Sequence, residues 1–126
     1  ALFASYTIPA VNAGSKLILN ATNDSWFGPW GEPQLHFALT VFRGIEARVP
    51  QLRATNTGIS ALILPDGSVV EKTELGETRA LNVKVPILAH PIPTLMKLWG
   101  DWFALFAGIT AGILYAWRYR QKRKKT

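Results

Sequence analysis

Between a compact apolar run and a proline-led helix lies the stretch whose residue types could make a site, Asn23-Asp24-Ser25-Trp26-Phe27-Gly28, continued by Pro29-Trp30-Gly31. Leu17-Ile18-Leu19 before it reads as a buried strand. The stretch therefore falls where a strand ends and a loop begins, the end of an open α/β sheet at which ligands gather. A solvent-facing loop has no physical need for two tryptophans and a phenylalanine. Two readings stay open: a hydrophobic plug of the local core, or a loop whose Trp26, Phe27 and Trp30 line a site for an apolar substrate or lie against a membrane. His36, in the first turn of the next helix, reads first as a structural hydrogen-bonding group, and its closeness to the loop keeps a site role open. Asn56 and Thr57, beside Gly58, could face the same site or stabilise their own turn. Arg43 and Glu46, three apart on the helix, read as a structural ion pair rather than as catalysts. The sequence contains no cysteine, so this chain cannot supply a thiol nucleophile or form a disulfide.

The elements that must position these residues follow from periodicity and punctuation. The first twelve residues are apolar with Pro9 inside them, which predicts a short helix or turn broken near Ile8. Ala13-Gly14-Ser15 is a turn feeding a strand over Lys16–Ala21. Pro33 suits the first turn of a helix over Gln34–Arg48, with Leu35, Ala38, Leu39, Val41, Phe42 and Ile45 as the face set on a core. Pro50 ends it. Strands are predicted over Gln51–Ala54, Ile59–Leu64, Ser68–Glu71 and Arg79–Val85, with turns at Thr55–Gly58 and Pro65-Asp66-Gly67. Pro86–Pro93, with three prolines, reads as an extended strap.

Charge is distributed unevenly along the 126 residues. Residues 1–101 hold eight basic and eight acidic side chains, so the whole net charge of +6 comes from the last nine residues. A high pI of this origin argues against a nucleic-acid-binding surface. The basic cluster follows Trp102–Trp117, sixteen residues without a charge. Counted from Leu95, with Trp99, Trp102, Tyr115, Trp117 and Tyr119 as interfacial aromatics, the segment predicts a transmembrane helix over 95–117. The positive-inside rule then places the basic tail, 118–126, in the cytoplasm and residues 1–94 on the opposite side. The chain begins at Ala1 with neither an initiator methionine nor a signal peptide, which reads as a portion of a longer protein.

Four blocks in order carry a resemblance: Leu19-Asn20-Ala21-Thr22-Asn23-Asp24-Ser25-Trp26-Phe27-Gly28; His36-Phe37-Ala38; Arg43-Gly44-Ile45-Glu46-Ala47-Arg48-Val49-Pro50; and Leu52-Arg53-Ala54-Thr55-Asn56-Thr57-Gly58-Ile59-Ser60. Together they resemble the C-terminal third of the bacterial apolipoprotein N-acyltransferase family, over roughly residues 1–85. Val49 departs from the pattern, the family usually carrying a second arginine before the proline. The resemblance implies an α+β fold, the C-terminal part of a nitrilase-like αββα sandwich, periplasmic over 1–94 and followed by the membrane helix in a bacterial inner membrane.

It also implies an enzyme. A cysteine thiolate, activated by a glutamate base and assisted by a lysine, takes an acyl chain from a phospholipid and passes it to the N-terminal amine of a diacylglyceryl-cysteine lipoprotein. All three catalytic groups are expected before Ala1, in the remaining N-terminal part of the same enzyme. In this chain Asn23, Trp26, Phe27, Gly28, Trp30, His36 and Asn56 are the expected site-lining or substrate-binding residues, with no metal or cofactor. A membrane-tethered nitrilase-like amidase would want a polar, enclosed pocket in place of Trp26, Phe27 and Trp30. A non-enzymatic single-pass protein could use the same aromatic loop to bind a partner or lipid.

Overall fold

The computed structural model describes residues 4–28, 31–90, 92–100 and 102–123. Helix α1 (Ala4–Asn12) leads to strand β1 (Ile18–Thr22), helix α2 (Glu32–Ala47) and strand β2 (Gln51–Thr55). Strands β3 (Ala61–Ile63) and β4 (Val69–Lys72) follow, then helices α3 (Leu95–Trp99) and α4 (Trp102–Arg123). This is an α+β arrangement around one four-stranded mixed sheet in the order β1-β2-β3-β4. β1 and β2 are parallel, Ile18 opposite Gln51 and Thr22 opposite Thr55. A parallel pair needs a long crossover, and α2 supplies it. The remaining pairs are antiparallel, with a register irregularity between Leu62 and Ile63.

The hairpin turn forms as its residues predict. Gly67 takes φ 90°, and Asp66 accepts hydrogen bonds from the Ser68 amide and hydroxyl at 2.9 and 2.6 Å. Those bonds hold the Asp66 carboxyl below its usual range. Helix α1 runs unbroken through Pro9 instead of ending near Ile8. Proline removes one helical hydrogen bond, but Ala4, Ile8 and Val11 are buried against Ala47 and Val49, with Met96 packed alongside, and that burial keeps the helix together.

Helix α2 turns a different face to the sheet from the one its apolar residues predict. Its buried positions are Pro33, His36, Thr40, Gly44 and Ala47, whereas Leu35, Leu39 and Phe42 are 62, 40 and 55 % exposed. The reason is contact distance and chemistry together. A Cβ at Gly44 would stand 3.5 Å from Ile63 Cγ2, so large side chains have no room along this line, and His36 and Thr40 have polar partners beneath the helix.

No strand forms over Arg79–Val85. Leu81, Val83 and Val85 alternate as half-buried with exposed neighbours, so the period is real, but the ladder is missing. Thr73 N–H bonds to Ser60 O and Gly76 N–H to Thr57 O, which draws the chain off the sheet edge after β4. Residues 86–90 and 92–94 carry no helix or strand, as the strap requires.

The predicted membrane helix over 95–117 is not met: among the described residues no helix is long and apolar enough to cross a membrane. The chain divides at Gly100, φ 61°, into α3 and α4. The uncharged part of α4 would extend about 24 Å at ~1.5 Å per residue, short of a hydrocarbon core of ~30 Å. Arg118 and Arg120 belong to the helix itself. A cytoplasmic C-terminus, which rested on that span, loses its support.

The space at Gly44 gives a direct test of the α2 contact. Gly44→Ala meets only ordinary van der Waals neighbours and gains helix propensity, so it should stabilise the complete protein by up to ~1 kcal/mol in denaturant unfolding. Destabilisation would mean that α2 lies closer to β3 than described.

Candidate functional site

At the C-terminal ends of the parallel strands β1 and β2, one buried charge network ties three elements together. Asp24, just past β1, and Arg53, inside β2, have fully buried side chains and meet through Arg53 Nη2 and Asp24 Oδ2 at 2.6 Å. Arg53 also donates from Nη1 to Thr40 Oγ1 at 2.6 Å and from Nε to Ile59 O at 3.1 Å. Thr40 in turn donates to His36 O within α2. His36 Nδ1 lies 2.9 Å from Asp24 Oδ1. Arg53 Nη2 stands 3.2 Å from the same Nδ1, so that ring nitrogen faces both the carboxylate and the guanidinium. Burial pushes the Arg53 guanidinium below its usual value, and Asp24 acts against that shift through its charge and its hydrogen bond.

Close packing completes the frame. A Cβ at Gly58 would run into the Asp24 carboxylate, so only glycine lets the loop after β2 cross the pair. Asn56 Oδ1 accepts from the Asp24 and Thr57 amides, each at 3.0 Å. Asn56 Nδ2 donates to Asn23 Oδ1 at 2.7 Å, and the same oxygen accepts from Ser25 N–H. The two asparagines thus clamp the loops after β1 and β2 together, directly beyond the Thr22 and Thr55 register pair.

The aromatic residues stand on this frame. Phe27 is half-buried and meets the His36 ring edge to face, centroids 5.2 Å apart. Trp26 meets Phe27 at 6.4 Å and is itself 76 % exposed. Trp26 therefore does not plug the core described here, while Phe27 packs partly and locally. Gly28 donates its N–H to Glu32 Oε2 at 3.1 Å, and among the described residues nothing stands within 4 Å of the position its Cβ would take. Its role is a backbone donor near the start of α2. Trp30 lies outside the described residues.

The structure brings together Asn23, Phe27, His36 and Asn56, with Trp26 on their outer side and Gly28 at the margin. His36 takes the structural role favoured by its position, and Arg43 pairs with Glu46 at 2.7 Å as expected of residues three apart. Asp24, Thr40 and Arg53 were not among the expected site residues, although they hold the site. The available signal was polarity on the inward face of a strand: Gln51, Arg53 and Thr55 alternate along β2, and Gln51 and Arg53 are buried while Ala54 between them and the loop is exposed. Among the described residues no group of three or more His, Asp or Glu side chains is placed to hold a metal ion.

Comparison with known proteins decides the relationship. The chain is 39 % identical over 101 residues to an apolipoprotein N-acyltransferase of Bdellovibrio bacteriovorus, covering 80 % of this chain and 18 % of that protein. By sequence, the chain belongs to the apolipoprotein N-acyltransferase family. A Geobacter metallireducens member is 36 % identical over 121 residues, 96 % of this chain and 23 % of its own length. An apolipoprotein N-acyltransferase 2 of Treponema denticola is 34 % identical over 94 residues, 75 % of this chain and 18 % of that protein. No family model matches the chain. The chain spans about a fifth of the length of the curated relatives it matches, a share that fits a C-terminal portion.

The network predicts unequal costs for its members. Asp24→Asn leaves Arg53 buried without its counter-charge and should cost ~3–5 kcal/mol in unfolding of the complete protein. Gly58→Ala should cost ~1–3 kcal/mol through overpacking. Arg43→Gln, at a partly exposed pair, should cost no more than ~1 kcal/mol. Equal costs at Asp24 and Arg43 would show that the buried pair does not dominate.

Proposed function

We propose that this chain is the part of a membrane-bound acyltransferase that frames the acyl-chain side of its active site. The complete enzyme moves an acyl chain from a phospholipid such as phosphatidylethanolamine to the N-terminal amine of diacylglyceryl-cysteine in a lipoprotein. In the first step a cysteine thiolate, outside this chain, attacks the ester carbonyl. The ester C–O bond breaks, and the lysophospholipid oxygen leaves with a proton. In the second step the lipoprotein amine attacks the thioester, the C–S bond breaks, and the amine loses its proton as the amide forms. Splitting one transfer into two lowers each barrier.

The observation that carries this reading is Trp26, left exposed beside a phenylalanine whose position is fixed from below by His36, Asp24 and Arg53. An aromatic wall suits an acyl chain, and its rigid base keeps that wall beside the reacting carbonyl. Asn23 and Asn56 stand at the same strand ends, where a polar substrate head would meet them. Residues 1–94 are read as part of a periplasmic nitrilase-like domain. Leu19, 73 % exposed on the sheet face away from α2, and the exposed stripe of α2 supply the apolar surfaces that such a layered sandwich covers. An enzyme with lipid substrates is read as working at the bacterial inner membrane, with the exposed apolar residues of α4 against the bilayer or the helices of the same enzyme.

In the complete enzyme Trp26→Ala should lower kcat/KM for acyl transfer about tenfold, the loss of one aromatic contact with the chain. Its unfolding free energy should stay within ~0.5 kcal/mol of the parent, since the ring is exposed. Phe27→Ala should lower both transfer and stability, because its ring also packs on His36. Unchanged transfer with Trp26→Ala contradicts the wall.

A further inference from the structure

We infer that residues 80–85 form a strand by pairing, through their backbone, with a strand of the part of this protein that lies outside the chain. Ala80-Leu81-Asn82-Val83-Lys84-Val85 has six amide donors in a row, and Pro86 ends the run. Leu81, Val83 and Val85 are half-buried whereas Asn82 and Lys84 are exposed, the alternation of a strand with one face seated on a core. Among the described residues no hydrogen bond involves the backbone of residues 80–90. A segment with the side-chain pattern of a strand and no ladder presents its N–H and C=O groups as a template for another strand.

The partner is not β4. The Arg79 guanidinium closes that edge: Nη2 donates to Lys72 O, the last carbonyl of β4, at 3.0 Å and lies 3.6 Å from Glu71, while Nε lies 3.5 Å from Glu77. Two antiparallel steps make β4 run the same way as β2, so Lys72 stands at the site end of the sheet. Leu88, by contrast, lines a cavity with Lys16 and Arg48 at the opposite ends of β1 and β2. The segment therefore crosses from one end of the sheet to the other, and no turn or bend interrupts residues 77–88.

The far face of the sheet shows where the partner lies. Leu19, Leu52 and Leu62 stand side by side across β1, β2 and β3 on the face away from α2. Leu62 is 1 % exposed, Leu52 half-buried and Leu19 73 % exposed, so the cover over this face runs out between β3 and β1. Helices α1, α2 and α3 pack on one another on the opposite face, around Ile18, Ala47, Val49 and Met96, which leaves the segment as the cover over Leu62. Beside it lie a bare strip of sheet and an open backbone edge, and one further strand fills both. That strand must turn apolar side chains toward Leu19 and set a polar or acidic residue opposite Lys84. The chain covers 18 and 23 % of two curated relatives, so about four-fifths of such a protein is available to supply it. The pairing does not rest on the acyl-transfer reading, and it adds to the covering of apolar surfaces the backbone edge through which the outer part attaches.

The test is hydrogen exchange of the complete protein in detergent, read by mass spectrometry over residues 80–90. A paired strand should slow exchange of the 80–85 amides about a hundredfold relative to those of Ile87, Ala89 and His90, which are exposed. Equal rates in the two stretches overturn the pairing. Leu19→Lys sets a charge beneath the partner without touching a residue buried within this chain, and should speed exchange at 80–85 about tenfold. Unchanged slow exchange in that variant contradicts the placement over Leu19. A photoreactive residue in place of Asn82 should crosslink within the same polypeptide, to a segment outside this chain. Crosslinks only to a second molecule, or only to residues of this chain, overturn the occupant.

Discussion

The buried pair of Asp24 and Arg53 is the constraint on which the described site depends. Two charges withdrawn from water repay their desolvation only if every remaining donor and acceptor finds a partner. Here the guanidinium reaches Asp24, Thr40 and Ile59 O, and the second carboxylate oxygen meets His36. Satisfying those groups brings the end of β1, the first turns of α2, the middle of β2 and the following loop to one point. Gly58 is fixed by the same demand, since any side chain there would displace the carboxylate. The site's geometry is thus a consequence of charge satisfaction more than of apolar packing.

That choice explains the unusual division of labour in α2. The helix gives its sheet-facing line to His36, Thr40 and Gly44 and leaves Leu35, Leu39 and Phe42 exposed. The sheet likewise leaves Leu19 exposed on its far face. Both features are expensive for an isolated unit and natural for one layer of a larger assembly, in keeping with a chain that spans about a fifth of its relatives. Within such an assembly the rigid polar frame carries an aromatic edge outward.

Much of this was legible in the residues. The order of elements from β1 to β4 followed from period and punctuation, because apolar runs bounded by Gly, Pro and Asn leave few alternatives. The four blocks around Asn23, His36, Arg43 and Leu52 pointed to the family that the comparisons bear out. The buried face of α2 was not legible, since periodicity reports where apolar residues lie and not which side a charge network claims. Asp24 and Arg53 are 29 residues apart, and nothing local pairs them. The strand expected over Arg79–Val85 had the right alternation, but alternation cannot provide a hydrogen-bonding edge. The membrane span failed for a similar reason: an apolar count ignores the break at Gly100.

The acyltransferase reading stands or falls on a covalent intermediate. Intact-mass analysis of the purified complete protein after incubation with phosphatidylethanolamine, with and without hydroxylamine, observes it directly. The account predicts an acyl-sized mass increase that hydroxylamine removes, as a thioester requires. A folded protein with access to lipid that shows no such adduct would contradict it.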